Sequence, residues 1–209
     1  MTPVRRREAI LAATVEVIRR RGMAATTVRD VAERMGSSSG LVHHYFDSMD
    51  DLLAAAFERV AGEDLASTRR ELEPAADPRD RLARFFPAYT RAEQDWAFQL
   101  WLDAWAEAAR RPALQETSRR LNIAWQELLA EVIREGVSAG SWACPDPDAA
   151  GWRILSLLDG LSLQLVAHRV ALDRDSIRRW SIAHAERELG LPAGALAVTP
   201  APSAAGSPG

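Results

Sequence analysis

The spacing of apolar residues predicts helices along nearly the whole chain. A first stripe of apolar positions ends at Gly22, directly after three arginines of the kind that favour a helix C-terminus. Residues 27–30, with the sequence TVRD, form a capping-box-like start for a second helix that stops at Gly36, and the serines at 37–39 can cap a third. No stretch alternates between apolar and polar residues as a strand does. The pattern therefore predicts an all-α protein.

The rest of the chain repeats this pattern in longer segments. A box-like start at Ser48 begins a long helix, which Pro74 and Pro78 end. Further helices are predicted near residues 79–93, 96–111, 113–137, 148–169 and 173–189. Residues 191–209 are mostly Ala, Pro, Gly and Ser, with almost nothing to bury, so we expect this tail to be disordered.

Composition narrows the class of protein. Apolar residues make up 47% and charged residues 26% of the 209 positions, the balance of a water-soluble globular protein. The single cysteine, Cys144, excludes a disulfide framework and a Cys-rich zinc site. No apolar run has the length of a signal peptide's core or a membrane span. We therefore expect a cytoplasmic protein with no membrane partner.

The charge is distributed unevenly along the chain. Residues 1–46 contain eight arginines and four acids, a local charge of +4. The whole chain carries −3, so the remainder carries −7, since +4 and −7 give −3. A basic segment on an acidic body is the asymmetry expected when one end of a protein meets phosphates.

The first three predicted helices fit a helix-turn-helix. Their apolar residues can close a small core, which leaves polar side chains pointing outward from the third helix. Short hydroxyls and imidazoles there can bond to phosphates and base edges in a major groove. The outward-facing set is Ser38, Ser39, Gly40, His43 and His44. A metal at the two histidines would need further ligands at helical spacing, and none is present, so we expect neither a metal nor a cofactor.

The most distinctive residues of this region are Gly22, AATTVRDVAERMG at 24–36 and GLVHHYFDSMDDLL at 40–53. Their order resembles the TetR family of one-component transcriptional regulators. It implies a homodimeric repressor that binds double-stranded operator DNA and is released by a small molecule. The expected organisation is a helix-turn-helix DNA-binding domain at 1–50, a helical ligand-binding and dimerisation domain at 51–190, and the disordered tail at 191–209.

The chain departs from the family pattern at several positions that would face DNA. A lysine that commonly contacts phosphate in the family is Met49 here, and Ser39 and His43 stand where Lys and Tyr are common. Other basic residues must then contact phosphate. We assign this role to Arg5, Arg6, Arg7 and Arg29. Thr27 and Tyr45 complete the predicted DNA-binding set.

Two other functional classes stay open at this point. Gly136, Ser138 and Gly140 spell the G-x-S-x-G of a hydrolase nucleophile elbow, and later Asp and His residues follow in the order of a triad. That chemistry needs a strand feeding a strained turn, whereas the preceding segment reads as an amphipathic helix, so we expect no enzyme. The third class is an architectural DNA-binding protein that has no effector.

Tryptophans in the middle of the chain are the remaining distinctive feature. Trp101 and Trp105 share one helix face, and they either pack in the core or line a pocket between helices. Nearby acids could suit a cationic ligand through charge and cation–π contacts. The expected effector is thus a small hydrophobic, aromatic or cationic molecule. The predicted ligand-binding residues are Trp101, Trp105, Trp125, Trp152, Asp159 and His168.

The helix around Asp159 is apolar on more than one face. Such a helix must be covered on two sides, and a second copy of the chain can cover one of them. The final helix repeats apolar positions at helical spacing and can complete a four-helix interface. The predicted dimer contacts are Ile154, Leu158, Gly160, Leu161, Leu165, Ile177, Trp180 and His184.

Overall fold

The computed structural model describes residues 2–92, 95–168 and 172–197, which form nine helices and no strand. The helices are α1 Pro3–Arg21, α2 Val28–Arg34, α3 Ser39–Tyr45, α4 Met49–Leu72, α5 Pro78–Thr90, α6 Asp95–Ala108, α7 Pro112–Ser138, α8 Pro147–Val166 and α9 Arg174–Glu188. The all-α prediction is confirmed. None of the described helices combines the length and the hydropathy needed to cross a membrane.

Side-chain caps determine where most of these helices begin. A Thr, Ser or Asp side chain accepts a hydrogen bond from the backbone N–H three residues ahead at the start of seven of them. Each such cap stabilises its helix by about 1 kcal/mol. These residues are Thr2, Thr27, Ser38, Ser48, Asp77, Asp146 and Asp173.

Helix α7 is capped instead by a residue from another part of the chain. Its own N-cap, Arg111, makes no capping bond. The carboxylate of Asp50, in the first turn of α4, accepts from the N–H groups of Ala113 at 2.9 Å and Leu114 at 3.3 Å. Because α4 directly follows the helix-turn-helix, this contact fixes the N-terminal module against the helical body.

One hydrophobic core runs through both parts of the molecule. Val31 and Val42 close the small core of α1–α3, and Leu52 and Phe57 on α4 continue it into the body. Helix α4 packs against α1, α5, α6 and α7, so it is the element shared by the two parts. Because the core is shared, the position of the α1–α3 module depends on packing in the body.

The G-x-S-x-G sequence is the C-terminal end of α7. Gly136 is buried within the helix, Ser138 is its exposed last residue, and Gly140 adopts a φ of +68°. The N–H of Ser141 donates to the carbonyl of Gly136 at 2.8 Å, closing the turn as in a Schellman motif. With no strand before it, the serine cannot be presented as a nucleophile in the manner of a hydrolase.

Part of the predicted disordered tail is folded. Leu196 is fully buried, and its N–H donates to the carboxylate of Glu186 at 2.9 Å, as does the N–H of Gly194 at 3.0 Å. The prediction of disorder is therefore wrong for residues 191–197. Leu196 is buried in the core, and the buried carboxylate of Glu186 accepts both backbone hydrogen bonds of the turn. Residues 198–209 lie outside the described part of the chain.

Three residues predicted at a dimer interface lie inside the protomer. Ile154 and Leu158 have no exposed surface, and Ile177 is only 1% exposed. The apolar pattern of a helix does not show which of its faces packs against its own domain and which against a partner. The face of α8 that carries Ile154 and Leu158 packs within its own protomer. The exposed aromatic on the neighbouring helix is Trp180, at 46% exposure, while Gly160 is also exposed and His184 is half-buried beside Glu188.

Candidate functional site

The outward face of α3 carries the polar residues predicted from the sequence. Gly40, His43 and His44 are exposed, and Ser39 is half-buried. Ser39 precedes His43, and Gly40 precedes His44, by one helical turn, so the four positions form two adjacent rows on one surface. Val42, on the opposite side of the helix, is buried in the small core.

Several other residues of the predicted DNA-binding set have structural roles as well. Ser38 caps α3, and Thr27 forms a capping box with Asp30. The hydrogen bond from the Thr27 hydroxyl, helped by the nearby Arg21, lowers the pKa of Asp30 below its ordinary value. Tyr45 is half-buried and its ring meets that of His44 edge-on at 5.1 Å.

The predicted phosphate contacts lie on the surface of α1 and α2. Arg5 and Arg29 are exposed, and Arg6 is half-buried. The guanidinium of Arg7 lies 4.9 Å from the ring centroid of Phe46, directly after α3, so the start of α1 is held beside the end of α3. The positive charges therefore lie on the same module as the polar face of α3.

A cavity lies within the helical body, between α4, α5, α6, α7, α8 and α9. The open space inside it and at its mouth totals about 670 Å³. Its walls combine aromatic rings with a few charged groups. The lining includes Asp64, Tyr89, Arg91, Asp95, Phe98, Trp101, Trp105, Trp125, Asp159 and Arg174.

Five aromatic side chains from three helices line the cavity. Trp101 and Trp105 on α6 have ring centroids 5.6 Å apart, and Phe98 meets Trp105 edge-on at 6.2 Å. Across the cavity, Tyr89 on α5 meets Trp125 on α7 edge-on at 5.3 Å. We call these five residues the aromatic cage. Such arrangements present the negative faces of aromatic rings to a ligand.

A half-buried carboxylate from α8, that of Asp159, lines the same cavity. The hydroxyl of Tyr89 donates to Asp159 at 2.5 Å. Burial raises the pKa of Asp159 to about 6, although the bond from Tyr89 acts in the opposite direction. Burial, with the neighbouring carboxylate, raises the pKa of Tyr89 well above its ordinary value, so Tyr89 stays a neutral donor. The cage thus holds a costly negative charge that a cation can neutralise.

The structure separates the predicted ligand-binding residues into two groups. Trp101, Trp105, Trp125 and Asp159 line the cavity. Trp152 and His168 do not: both are exposed on the surface of the body, so their prediction as ligand contacts is wrong. The error arose because position along the chain, without helix orientation, does not show which way a side chain points.

Several cavity residues were not predicted. Tyr89 and Phe98 sit in apolar stripes that read as ordinary core, and Arg174 opens a helix among other charged residues. The one usable signal was the spacing of Phe85 and Tyr89, which share a helix face and stack at 5.8 Å.

Helix α6 connects the cavity to the α1–α3 helix-turn-helix module. On the helix that carries Trp101 and Trp105, the carboxylate of Asp103 accepts from the N–H of Met23 at 3.2 Å, just after α1. The guanidinium of Arg19 on α1 lies 4.7 Å from the ring centroid of Trp96 on α6. These two contacts join α6 directly to the C-terminal end of α1.

A helix-turn-helix joined by a shared core to a helical body with an aromatic-lined cavity is typical of one-component DNA-binding transcriptional regulators. Residues 10–56 match the family model for bacterial regulatory proteins of the tetR family, and residues 78–190 match that for the C-terminal domain of BetI-type transcriptional repressors. The chain belongs to the TetR family, and it is a DNA-binding transcriptional repressor of the BetI type.

Individual relatives agree with this assignment. The chain is 34% identical to the transcriptional regulator BetI of Paraburkholderia phymatum, over 76% of this chain and 80% of the relative. It is 28% identical to BetI 1 of Chromohalobacter salexigens, over 90% and 92% of the two chains. A regulator from Pseudomonas aeruginosa superposes with a TM-score of 0.80 at 26% identity, covering 91% of this chain and 93% of its own.

One solved relative contains a small molecule. A transcriptional regulator from Saccharomonospora viridis in complex with choline superposes with a TM-score of 0.77 at 26% identity, covering 88% of this chain and 96% of that one.

Proposed function

We propose that this repressor binds palindromic operator DNA as a homodimer and is released by a small quaternary-ammonium effector in the aromatic cage. The observation that carries the proposal is that the half-buried carboxylate of Asp159 and the five aromatic side chains of the cage line one cavity. A quaternary ammonium group has no hydrogen to donate, so ring faces and one counter-charge are what recognise it. Choline in the relative from Saccharomonospora viridis supports the same ligand chemistry.

The proposed dimer uses the outer face of α8 and α9. The ion pair of Arg153, near the start of α8, with Glu188, at the end of α9, holds the two helices side by side. Trp152 and Trp180 leave 39% and 46% of their surfaces exposed, and large exposed aromatics of this kind mark protein interfaces. Gly160, with nothing near its Cβ position, permits close approach. The proposed dimer interface also includes Leu161, Leu165 and His184.

Two copies related by a twofold axis present two α3 helices. In this arrangement the half-sites lie about 34 Å apart, one turn of DNA, or a multiple of that distance. The α3 face with Ser39, Gly40, His43 and His44 enters the major groove. Arg5, Arg6, Arg7 and Arg29 neutralise phosphates on either side. Thr27, Ser38 and Tyr45 hold the backbone near the duplex.

The proposed release mechanism uses the contacts of α6 with α1. A ligand between Trp101, Trp105 and the rest of the cage presses on α6, and Asp103 transmits the shift to Met23. Release requires that the ligand bind more tightly to a conformer of the dimer in which the two α3 helices are spaced wrongly for the major grooves of the operator. To shift the dimer from nearly all DNA-binding conformer to nearly all non-binding conformer, the ligand must bind the second conformer about 5.5 kcal/mol more tightly than the first.

Replacing Asp103 with alanine tests this coupling. The carboxylate contacts α1 and is not in the aromatic cage, so the Asp103→Ala variant should bind choline with an affinity within about threefold of wild type. The choline concentration that releases operator DNA should rise at least about tenfold, because the link between cavity and module is cut. Calorimetry measures the first quantity and fluorescence anisotropy of a labelled duplex the second.

Glu107→Ala is the matched control for this experiment. Glu107 lies one turn further along α6 and pairs with Arg111 at 3.1 Å. The Glu107→Ala variant should change neither the affinity for choline nor the choline concentration that releases operator DNA. Release of DNA by Asp103→Ala at the wild-type choline concentration would exclude the contact with Met23 as the coupling route.

The DNA-facing residues should divide into two kinds of contact. His44→Ala should reduce the preference for operator over random DNA by about 1–3 kcal/mol, because the side chain reads base edges. Arg29→Ala should weaken binding to all sequences and reduce the salt dependence by about one unit of slope. Anisotropy titrations at several salt concentrations measure both effects. His168→Ala, an exposed histidine in the body, serves as the control. Equal weakening of operator and random DNA by His44→Ala would show that this residue does not read bases.

A further inference from the structure

Asp50 caps a helix other than its own. It lies in the first turn of α4, yet its carboxylate accepts hydrogen bonds from the N–H groups of Ala113 and Leu114 at the start of α7. Arg111, the N-cap residue of α7, makes no capping bond with its side chain. The first N–H groups of a helix have no partner within the helix and form its positive end, so an anionic acceptor binds there strongly.

The first turn of α4 also sets the direction of α3. Helix α3 ends at Tyr45 and α4 begins at Met49, so only residues 46–48 connect them. Phe46 is buried in the small core, and the side chain of Ser48 caps α4. Because this connection is short and held at both ends, we expect a rotation of α4 to turn α3 with it.

Helices α4 and α7 run parallel, and Asp50 is the link between them that lies nearest to α3. Glu58 pairs with Arg120 at 2.8 Å and Arg69 with Glu131 at 3.6 Å, so later residues of α4 meet later residues of α7. These four side chains are between 42% and 52% exposed, and exposed ion pairs contribute little to stability. Asp50 is half-buried and bonds to two helix N–H groups. Of these three links, it is the one that fixes the start of α4 on the body.

We propose that Asp50 is a positioning residue that sets the separation of the two α3 helices in the dimer, and with it the operator spacing that the protein accepts. The inference rests on the proposed function, in which two copies bind a palindromic site. In a dimer joined through α8 and α9, each α3 is held at the start of its own α4, so a change in the angle of α4 changes their separation. Modules fixed in advance bind both half-sites without further ordering, whereas a site of the wrong spacing must deform the protein or the DNA.

Anisotropy titrations with four duplexes test the inference on the full chain. The operator is first selected from random duplexes with wild-type protein. Its three derivatives carry one half-site only, one base pair inserted at the centre, or one base pair removed there. One base pair moves a half-site by about 3.4 Å and rotates it by about a tenth of a turn. Wild-type protein should bind both altered-spacing duplexes at least about tenfold more weakly than the operator.

Asp50→Ala removes the acceptor without changing the exposed face of α3. It should weaken operator binding about tenfold, since both modules must then be ordered on the DNA, and leave half-site binding within about twofold. The loss of affinity on altered spacing should shrink to about threefold or less, because loosened modules adapt. Asn caps helices about as well as Asp, so Asp50→Asn should keep most of the wild-type spacing preference. Glu58→Ala, which breaks the exposed pair with Arg120, is the matched control and should behave as wild type.

A second variant separates the link between the helices from the capping of α7. Asp50→Ala leaves the start of α7 uncapped, which by itself lowers stability. Adding Arg111→Ser supplies a cap from the N-cap position of α7, where the backbone is already extended, and does not rejoin α7 to α4. The double variant should regain thermal stability and keep the weakened spacing preference of Asp50→Ala. Arg111→Ser alone should keep the wild-type preference.

The possible results separate the two levels of the proposal. Equal weakening of half-site and operator binding by Asp50→Ala, or no weakening of either, overturns the role of Asp50. An unchanged spacing preference in this variant, its recovery in the double variant, or wild-type protein that tolerates altered spacing does the same. A selected operator without a twofold repeat, or a half-site bound by wild type as tightly as the operator, overturns the proposed function itself. If Asp50→Ala does not fold, the double variant makes the same comparison.

Discussion

Replacing Asp159 with asparagine should abolish the response to choline while making the free protein more stable. The carboxylate is the counter-charge of the cage, and asparagine keeps the shape and still accepts the bond from Tyr89. Losing this counter-charge next to a bound cation should weaken choline binding by about 100-fold or more. Operator affinity without ligand should stay within a few-fold, because Asp159 does not contact the DNA-facing module.

The gain in stability follows from the direction of the pKa shift. Burial raises the pKa of Asp159 from 3.8 to about 6, so the folded protein holds this proton more tightly than the unfolded chain does. Between these values the folded state binds more protons, and the carboxyl's contribution to stability falls as pH rises. At pH 7.5 the whole penalty is present, at most about 3 kcal/mol, and Asp159→Asn removes it.

Thermal unfolding at two pH values measures this effect. The variant should unfold at a higher temperature than wild type at pH 7.5, and the difference should shrink at pH 4, where the wild-type carboxyl is protonated. Choline affinity of the wild type should decline as pH falls through about 6, for the same reason. Asp175→Asn, at an exposed acid on α9, is the control for both. A choline affinity that is constant from pH 7.5 to 5 would exclude an ionised Asp159 from the binding site.

The second large effect is expected at Gly136. A Cβ there would lie 1.9 Å from Cζ2 and 2.1 Å from Cε2 of the Trp142 ring. The ring cannot move freely, because its Nε1 donates to the carbonyl of Ile133 at 3.0 Å and the side chain is buried. Gly136→Ala should therefore lower the free energy of unfolding by roughly 3 kcal/mol, despite the better helix propensity of alanine.

Urea denaturation of Gly136→Ala and a matched glycine variant checks this result. Gly62, within α4, has no atom within 4 Å of its Cβ position, so Gly62→Ala should be neutral or stabilising by up to about 1 kcal/mol. Equal stability of the two variants would mean that Trp142 does not pack against α7 as described. Loss of stability at Gly136 also accounts for a glycine in the G-x-S-x-G sequence without any catalytic role for Ser138.

The helices and the exposed polar face of α3 could be predicted because their signals are local. A Thr or Ser before an apolar stripe marks a helix start wherever it occurs, and Thr27 and Ser38 cap α2 and α3 as expected. The face of α3 follows from which residues its apolar side must bury. Trp101 and Trp105 could be paired in advance because they lie one turn apart on a single helix.

The rest of the site depends on contacts between distant segments. Tyr89 and Asp159 are 70 positions apart and meet only because α5 and α8 pack in the same body. Asp103 lies between the two tryptophans of α6 in the sequence, yet its partner is the backbone N–H of Met23, which no periodicity in α6 reveals. The inward orientation of Ile154 and Leu158 likewise depends on the position of α7, which packs against α8.

The measurement that tests the central claim most directly follows ligand binding and DNA release in one sample. Labelled operator, selected from random duplexes, is bound to the protein, and choline is added while tryptophan fluorescence and label anisotropy are recorded together. Choline between Trp101, Trp105 and Trp125 should change the tryptophan signal, and anisotropy should fall to that of free DNA over the same concentration range. A change in tryptophan fluorescence to saturation while the DNA remains fully bound would contradict the account.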